Sequence, residues 1–76
     1  MAVERSYGHF LKEGNFAKYN NISLNECYAK CHSMKKCESF NMSQEKKECH
    51  LNTLRKDKVK SEFFVKRKSF VYYERV

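Results

Sequence analysis

Residues 23–51 of this chain read SLNECYAKCHSMKKCESFNMSQEKKECHL and contain all four of its cysteines, spaced C-x3-C-x5-C-x11-C. A chain of 76 residues buries only a small hydrophobic core, so covalent cross-links contribute a large share of its stability. An even number of cysteines in one compact cluster predicts two disulfides, which form in oxidising compartments. The stretch therefore indicates a secreted or cell-surface protein.

The same cysteines offer one alternative, a zinc site in a reduced intracellular protein. Structural zinc sites combine two close pairs of Cys or His ligands. Cys27 and Cys31 have the spacing of one such pair, but the other two cysteines are separated by eleven residues. His32 and His50 each directly follow a cysteine, and sequence neighbours rarely bind one metal together. Spacing favours the disulfides, and we expect no metal and no cofactor.

A helix is predicted from Ser23 to Met34. Ser23 and Glu26 have the spacing of a capping box, in which each side chain satisfies a free main-chain amide at the start of the helix. Apolar residues then recur every three or four positions and form one stripe. The residues of this stripe are Leu24, Cys27, Tyr28, Cys31 and Met34.

The helix narrows the possible cysteine pairings. Cys27 and Cys31 are four residues apart, so both thiols leave the same helix face and could bridge each other only with distortion. Each therefore pins the helix to a segment that follows it. Two connectivities remain, and the simpler is the nested one, Cys31 with Cys37 and Cys27 with Cys49.

Strand signals dominate the rest of the chain. Aromatic and β-branched residues, which favour strands, predict segments near residues 7–19, 39–42, 49–52, 63–65 and 70–73. Alternation in the last segment predicts that one of Tyr72 and Tyr73 is buried and the other exposed. We expect one α+β domain over residues 1–76, a small antiparallel sheet crossed by one helix.

The longest apolar runs have three or four residues, so no membrane insertion is expected. Residues 1–5 lack the apolar core of a signal peptide. We therefore expect the chain to be a mature module or one domain of a larger multidomain secreted protein.

The formal net charge of +7 predicts an anionic partner. Outside the cell the available polyanions are sulfated glycosaminoglycans and acidic protein surfaces, whereas inside the cell they are nucleic acids. Because the cysteines predict an extracellular protein, we expect no nucleic-acid partner.

Two clusters hold much of the positive charge. Lys30, Lys35 and Lys36 flank two of the cysteines, where a disulfide would hold them in a fixed array. Residues 55–68 contain seven basic and two acidic side chains, including Lys66, Arg67 and Lys68. The alternative for the first cluster is complementation of the helix dipole, and for the second a solvated hairpin tip or a charged edge strand.

The segments 23–31, 37–41, 48–51 and 72–74 together resemble the PAN/apple domain family. The sub-type that the chain most resembles is the amino-terminal domain of hepatocyte growth factor and plasminogen-like proteins, over nearly its whole length. The resemblance implies the nested pairing, Cys27 with Cys49 and Cys31 with Cys37. Apple domains proper have a third disulfide that joins the termini, and this chain lacks its cysteines.

The resemblance also implies candidate binding residues. In the growth-factor branch, the heparin site uses basic residues around the helix end and the following loop. Lys30 and Lys35 fall on such positions, Lys36 adds to the array, and Lys18 lies on a strand expected nearby. Some other basic positions of that site hold uncharged residues here, such as Ser33.

Two N-x-S sequons predict glycosylation at Asn21 and Asn41 in a secreted protein. Asn41 follows the expected core residue Phe40, so alternation predicts that it turns outward. No nucleophile with a neighbouring base and no Gly-rich phosphate loop is visible, so catalysis is not expected.

The sequence thus predicts an extracellular, non-catalytic module that binds sulfated glycosaminoglycan or another anionic carbohydrate. The predicted contacts are Lys18, Lys30, Lys35, Lys36, Lys66, Arg67 and Lys68. One alternative is a protein–protein adhesion or receptor-binding module at the cell surface. The other is the reduced, zinc-containing nucleic-acid binder.

Overall fold

Five antiparallel strands and one helix make up the domain in a computed structural model that describes residues 2–76. In chain order they are β1 (Val3–Leu11), β2 (Asn15–Asn20), α1 (Leu24–Ser33), β3 (Ser39–Ser43), β4 (Glu48–Asn52) and β5 (Phe64–Arg75). The strands form one sheet in the order β1-β5-β3-β4-β2. Short 3-10 turns at Lys56–Lys58 and Ser61–Phe63 lie in the connection before β5. The predicted α+β architecture is confirmed.

The capping box at the start of α1 is present as predicted. The Glu26 amide donates to Ser23 Oγ at 3.2 Å, and the Ser23 amide donates to Glu26 Oε1 at 2.9 Å. The hydrogen bond from the Ser23 main chain lowers the pKa of Glu26. At the other end, the amide of the C-cap residue Met34 donates to the Cys31 carbonyl. The predicted helix limits, Ser23 and Met34, are therefore its two caps.

Both predicted disulfides are present. Cys27 is bonded to Cys49 of β4, and Cys31 is bonded to Cys37 in the loop after the helix. All four cysteines are fully buried. The zinc alternative is wrong because both disulfides use the thiols that a metal would need.

The main core lies between α1 and one side of the sheet, which we call the helix face. Phe40 and Leu51 are fully buried there, together with Met42 and Tyr73. The rings of Phe40 and Tyr73 are stacked, with centroids 4.8 Å apart. Each such side chain contributes roughly 1.5–3 kcal/mol on burial, and the disulfides hold the helix over them.

The other side of the sheet, the opposite face, is also covered, so the prediction that one of the two tyrosines is exposed is wrong. Tyr72 and Tyr73 are 0% and 7% exposed. The Tyr72 hydroxyl accepts from the Lys56 amide and donates to Glu74 Oε1, both at 2.9 Å. The connection before β5 therefore lies against the opposite face.

A large bulge separates two paired halves of β1 and β5. Tyr7 pairs with Val71 and His9 pairs with Lys66, so the single residue Gly8 stands opposite four residues, 67–70. Gly8 has a φ of 69°, which glycine adopts without steric cost. Apart from Phe63, the two segments expected at 63–65 and 70–73 thus belong to one long strand. The hairpin tip and the edge strand considered for residues 55–68 are wrong, because residues 64–68 lie in β5, between β1 and β3.

Beyond the bulge, the end of β1 lies over the opposite face and forms a second small core. Phe10 and Leu11 are buried there, and the Phe10 ring meets the Phe70 ring edge to face at 4.8 Å. The Phe10 ring also contacts the His50 ring of β4, at 5.1 Å between centroids. This packing determines the surroundings of His50.

Candidate functional site

The seven basic residues predicted to bind an anion do not form one surface. Lys30, Lys35 and Lys36 lie at the end of α1 and in the loop that follows it. Lys18 and Arg67 lie near His50 on the opposite face. Lys66 and Lys68 are exposed along β5, close to the bulge.

The first basic surface consists of Lys30, Lys35 and Lys36 together with two rings of β2, Phe16 and Tyr19. Lys30 Nζ lies 4.5 Å from the centroid of the Tyr19 ring, and Lys36 Nζ lies 4.5 Å from the centroid of the Phe16 ring. Both distances fit cation–π contacts, which attract the ammonium group to the ring face. The rings therefore position two ammonium groups on neighbouring parts of one surface.

The loop of residues 31–37, which carries Lys35 and Lys36, is held by three contacts. The Cys31–Cys37 disulfide closes it, and the Cys37 amide donates to the Met34 carbonyl at 3.0 Å. Arg75 Nη2, from the end of β5, donates to the Cys31 carbonyl at 3.1 Å. Arg75 was not predicted from the sequence, because no local pattern indicates a contact across 44 residues.

The second basic surface surrounds His50 on the opposite face and consists of Lys18, Lys46 and Arg67. Lys18 is the cross-strand partner of His50, so their side chains share one face. The Arg67 guanidinium carbon lies 4.3 Å from the centroid of the Phe10 ring. Lys46 Nζ lies 5.9 Å from the centroid of the Phe70 ring, and both rings contact His50.

Burial lowers the pKa of His50, because the charged imidazolium loses hydration. Glu48 opposes this shift, with Oε1 3.3 Å from His50 Nε2. Lys18 and Arg67 add to the decrease by charge repulsion. One carboxylate therefore favours the charged form of His50, and two nearby cations oppose it.

The sequence comparison agrees with this architecture. The profile of the PAN domain family matches residues 2–76. The chain belongs to the PAN domain family. These domains are extracellular-type modules that bind protein or carbohydrate and are generally non-catalytic. A search of curated proteins gave no match.

Most of the positive charge of this PAN domain has no ion-pair partner. Among residues 2–76, the two ion pairs join His50 to Glu48 at 3.3 Å and Arg55 to Asp57 at 3.9 Å. Of the sixteen Lys and Arg side chains, Arg55 alone is therefore in an ion pair within the described residues. The basic side chains of both surfaces are free to meet an external anion.

The two sequons of the PAN domain have different surroundings. Asn21 is exposed in the turn before α1. Asn41 is fully buried, and its side-chain amide exchanges two hydrogen bonds with the main chain of Leu11. Asn41 points away from Phe40 as alternation predicts, but its expected exposure is wrong, because the end of β1 covers the face toward which it points.

A cavity of about 290 Å³ lies beside the start of α1. Glu26 and Lys47 line it, and the Glu26 carboxylate is already engaged in the capping box.

No helix in residues 2–76 is both long enough and apolar enough to cross a membrane.

Proposed function

We propose that this PAN domain is a secreted or cell-surface binding module for sulfated glycosaminoglycan, and that the first basic surface is its principal contact. The observation that carries the proposal is the placement of Lys30 and Lys36 over two aromatic rings of one strand. Lys36 lies inside the loop that the Cys31–Cys37 disulfide closes, and Lys30 precedes this loop in the last turn of α1.

Rigidity supports binding to a repeating anion. A flexible lysine loses side-chain entropy when it becomes fixed against a sulfate group, and that loss reduces affinity. Lys30 and Lys36 already rest on Tyr19 and Phe16 in the free protein. The net charge of +7 also speeds the approach of a polyanion and adds affinity that depends on salt.

The resemblance to the growth-factor branch supports the same surface. There the heparin site uses basic residues at the helix end and the following loop, and Lys30 and Lys35 occupy such positions. Lys66 and Lys68 are exposed on β5 and add to the positive field. Lys18 and Arg67 lie on the opposite face, so we assign them no part in this surface.

The proposal is tested by comparing elution from heparin resin with elution from a plain cation exchanger. The test variant is Lys30→Ala with Lys36→Ala. The matched control is Lys58→Ala with Lys60→Ala, which removes the same charge from two exposed lysines before β5. We expect the test variant to elute from heparin at clearly lower salt than the control, and both variants to shift equally on the cation exchanger.

Two partly exposed ionic contacts of up to about 1 kcal/mol each predict an increase of up to about thirtyfold in the Kd for heparin. Equal elution of the two variants from heparin would contradict the proposed surface. Identical elution of the parent protein from both resins would contradict sulfate-specific recognition altogether.

A further inference from the structure

The second basic surface is built independently of the first. Lys18 comes from β2, Arg67 from the bulge in β5, and Lys46 from the turn between β3 and β4. These three side chains are exposed, and they surround a face that α1 does not cover. A ligand on this surface would therefore not compete with one on the first basic surface.

His50 lies at the centre of the second basic surface in a fixed orientation. Its ring meets Phe10 and Phe70 at 5.1 and 5.6 Å between centroids, and its side chain is 15% exposed. The two aromatic rings hold the imidazole in place, and a small part of it stays exposed to solvent. A bound anion would therefore meet a histidine that needs no rearrangement.

Charges of both signs face His50. Lys18 faces it from β2 and Arg67 from β5, while Glu48 contacts it from its own strand. Its neighbour in β3, Asn41, and its neighbour in β1, Phe10, are uncharged. In the free protein, burial and the two cations therefore oppose protonation, and only one carboxylate favours it.

We propose that the second basic surface is a separate binding site for sulfated polysaccharide whose affinity increases as the pH falls, because His50 gains a proton in the complex. The inference rests on the proposed function for its ligand class, but it uses none of the same residues. One domain can then hold two polysaccharide segments, one on each face of the sheet.

The linkage between proton uptake by His50 and sulfate binding determines whether affinity rises or falls with pH. A sulfate group between Lys18 and Arg67 neutralises the repulsion that opposes the imidazolium, so binding raises the pKa of His50. By reciprocity, protonation of His50 strengthens the binding of the sulfate group by the same factor. Affinity therefore rises through the pH range in which His50 in the complex takes up its proton.

The test measures the Kd of a short heparin oligosaccharide by calorimetry, at constant ionic strength, at about pH 7.5 and about pH 5.5. The proteins are the parent, Lys18→Ala with Arg67→Ala, His50→Gln, and Lys30→Ala with Lys36→Ala. We expect the Kd of the second basic surface, resolved as one of two sites in the parent and as the remaining site in the Lys30/Lys36 variant, to fall about two- to fivefold at the lower pH, the effect of one more ion pair at a partly exposed site. The Lys18/Arg67 and His50 variants should lose this tightening.

The two double variants remove equal charge, so net charge alone cannot produce the difference. His9 and His32 remain in His50→Gln, so the difference between this variant and the parent isolates the effect of His50. Tightening as large in His50→Gln or in the Lys18/Arg67 variant as in the parent would overturn the proposal, as would a parent without tightening. If His50→Gln does not fold, the Lys18/Arg67 variant, which changes only exposed side chains, decides the question.

The two proposals fail in different ways. If Lys30→Ala with Lys36→Ala binds as tightly as the parent at about pH 7.5, the first basic surface is not the principal contact. If that variant loses affinity at the higher pH while the tightening is unaffected by changes at Lys18, Arg67 and His50, the present inference is wrong and the proposed function stands.

Discussion

The side-chain amide of Asn41 hydrogen bonds to both main-chain groups of Leu11. The Leu11 amide donates to Asn41 Oδ1 at 2.8 Å, and Asn41 Nδ2 donates to the Leu11 carbonyl at 3.0 Å. The two residues belong to β3 and β1, which are not neighbours in the sheet. Asn41 therefore supplies the hydrogen bonds that a neighbouring strand would otherwise provide, and it fixes the end of β1 over the opposite face.

Replacement of Asn41 should be strongly destabilising. Asn41→Ala leaves the buried amide of Leu11 without a partner, at a cost of roughly 1–3 kcal/mol, while the Leu11 carbonyl still accepts from Asn15 Nδ2 at 3.1 Å. We expect the free energy of unfolding in urea to fall by about 1–3 kcal/mol. Asn25→Ala, an exposed change on α1, should alter it by less than about 0.5 kcal/mol. Similar values for the two variants would contradict the role assigned to Asn41.

Glycan attachment should distinguish the two sequons. We expect the domain, expressed through a secretory pathway, to carry a glycan on Asn21, which is exposed, and none on Asn41, whose amide is buried and hydrogen bonded. Asn21→Gln should remove the glycan mass from the secreted protein, as measured by mass spectrometry before and after enzymatic deglycosylation. A glycan on the Asn41 peptide of folded, secreted protein would contradict this expectation.

Asn41 shows what the sequence can and cannot predict in this domain. The alternation of β3 places Phe40 and Asn41 on different faces, as predicted. The burial of Asn41 depends on the end of β1, which reaches the opposite face only because of the bulge at Gly8. A bulge and a contact between residues 30 positions apart have no periodic signal, so sequence patterns miss them.

Local signals were the reliable ones. The capping box and the helix depend on spacings within one short segment, and both are confirmed. Spacing reduced the cysteine pairing to two connectivities, and the nested one, which the family resemblance implies, is confirmed. Charge clusters were less informative, because sequence proximity says little about which face a residue occupies. The sequence groups Arg67 with Lys30 by charge and Lys18 with Lys30 by an expected neighbouring strand, yet the sheet separates both residues from Lys30.

The two disulfides should contribute unequally to stability. Cys27 and Cys49 are 22 residues apart, and Cys31 and Cys37 are 6 apart. In the chain-entropy model, losing the longer link costs about 3 kcal/mol and losing the shorter link about 2 kcal/mol. Thermal unfolding of Cys27→Ala with Cys49→Ala should therefore occur at a lower Tm than that of Cys31→Ala with Cys37→Ala. The reverse order would show that native packing, rather than loop closure, dominates.

The shorter disulfide should matter more for binding. It closes the loop that carries Lys35 and Lys36, so its removal should weaken heparin binding in protein that is still folded. Removal of the longer disulfide should affect binding only through the fraction of protein that unfolds. Heparin affinity measured well below each Tm separates the two effects.

His50 should make the domain less stable in mild acid. Its pKa is lowered below the ordinary value of 6.5, so the unfolded chain takes up the proton first as the pH falls. The contribution of His50 to the free energy of unfolding is therefore fully present above about pH 6.5. It decreases as the pH falls from there to the pKa of His50 in the folded state. His50→Gln should flatten this decrease, whereas His32→Gln, an exposed change, should leave it unchanged. Urea unfolding across this pH range measures both slopes, and equal slopes would contradict the assignment.

Arg75 connects the end of the sheet to the first basic surface. Its guanidinium donates to the Cys31 carbonyl at 3.1 Å, and its main-chain amide donates to the Glu38 carbonyl at 2.9 Å. Cations near a helix C-terminus are stabilising because they complement the helix dipole, and charge-assisted hydrogen bonds contribute roughly 1.5–3 kcal/mol. Arg75→Ala should therefore loosen the end of α1 together with the disulfide-closed loop.

We expect faster hydrogen exchange at the Met34 and Cys37 amides in Arg75→Ala, and weaker heparin binding. Arg5→Ala is the matched control, because it removes the same charge from an exposed position in β1. If heparin binding depends on a rigid array of lysines, Arg75→Ala should lose more affinity than Arg5→Ala although neither residue belongs to the first basic surface. Equal losses, with unchanged exchange at Cys37, would show that net charge rather than preorganisation determines the affinity.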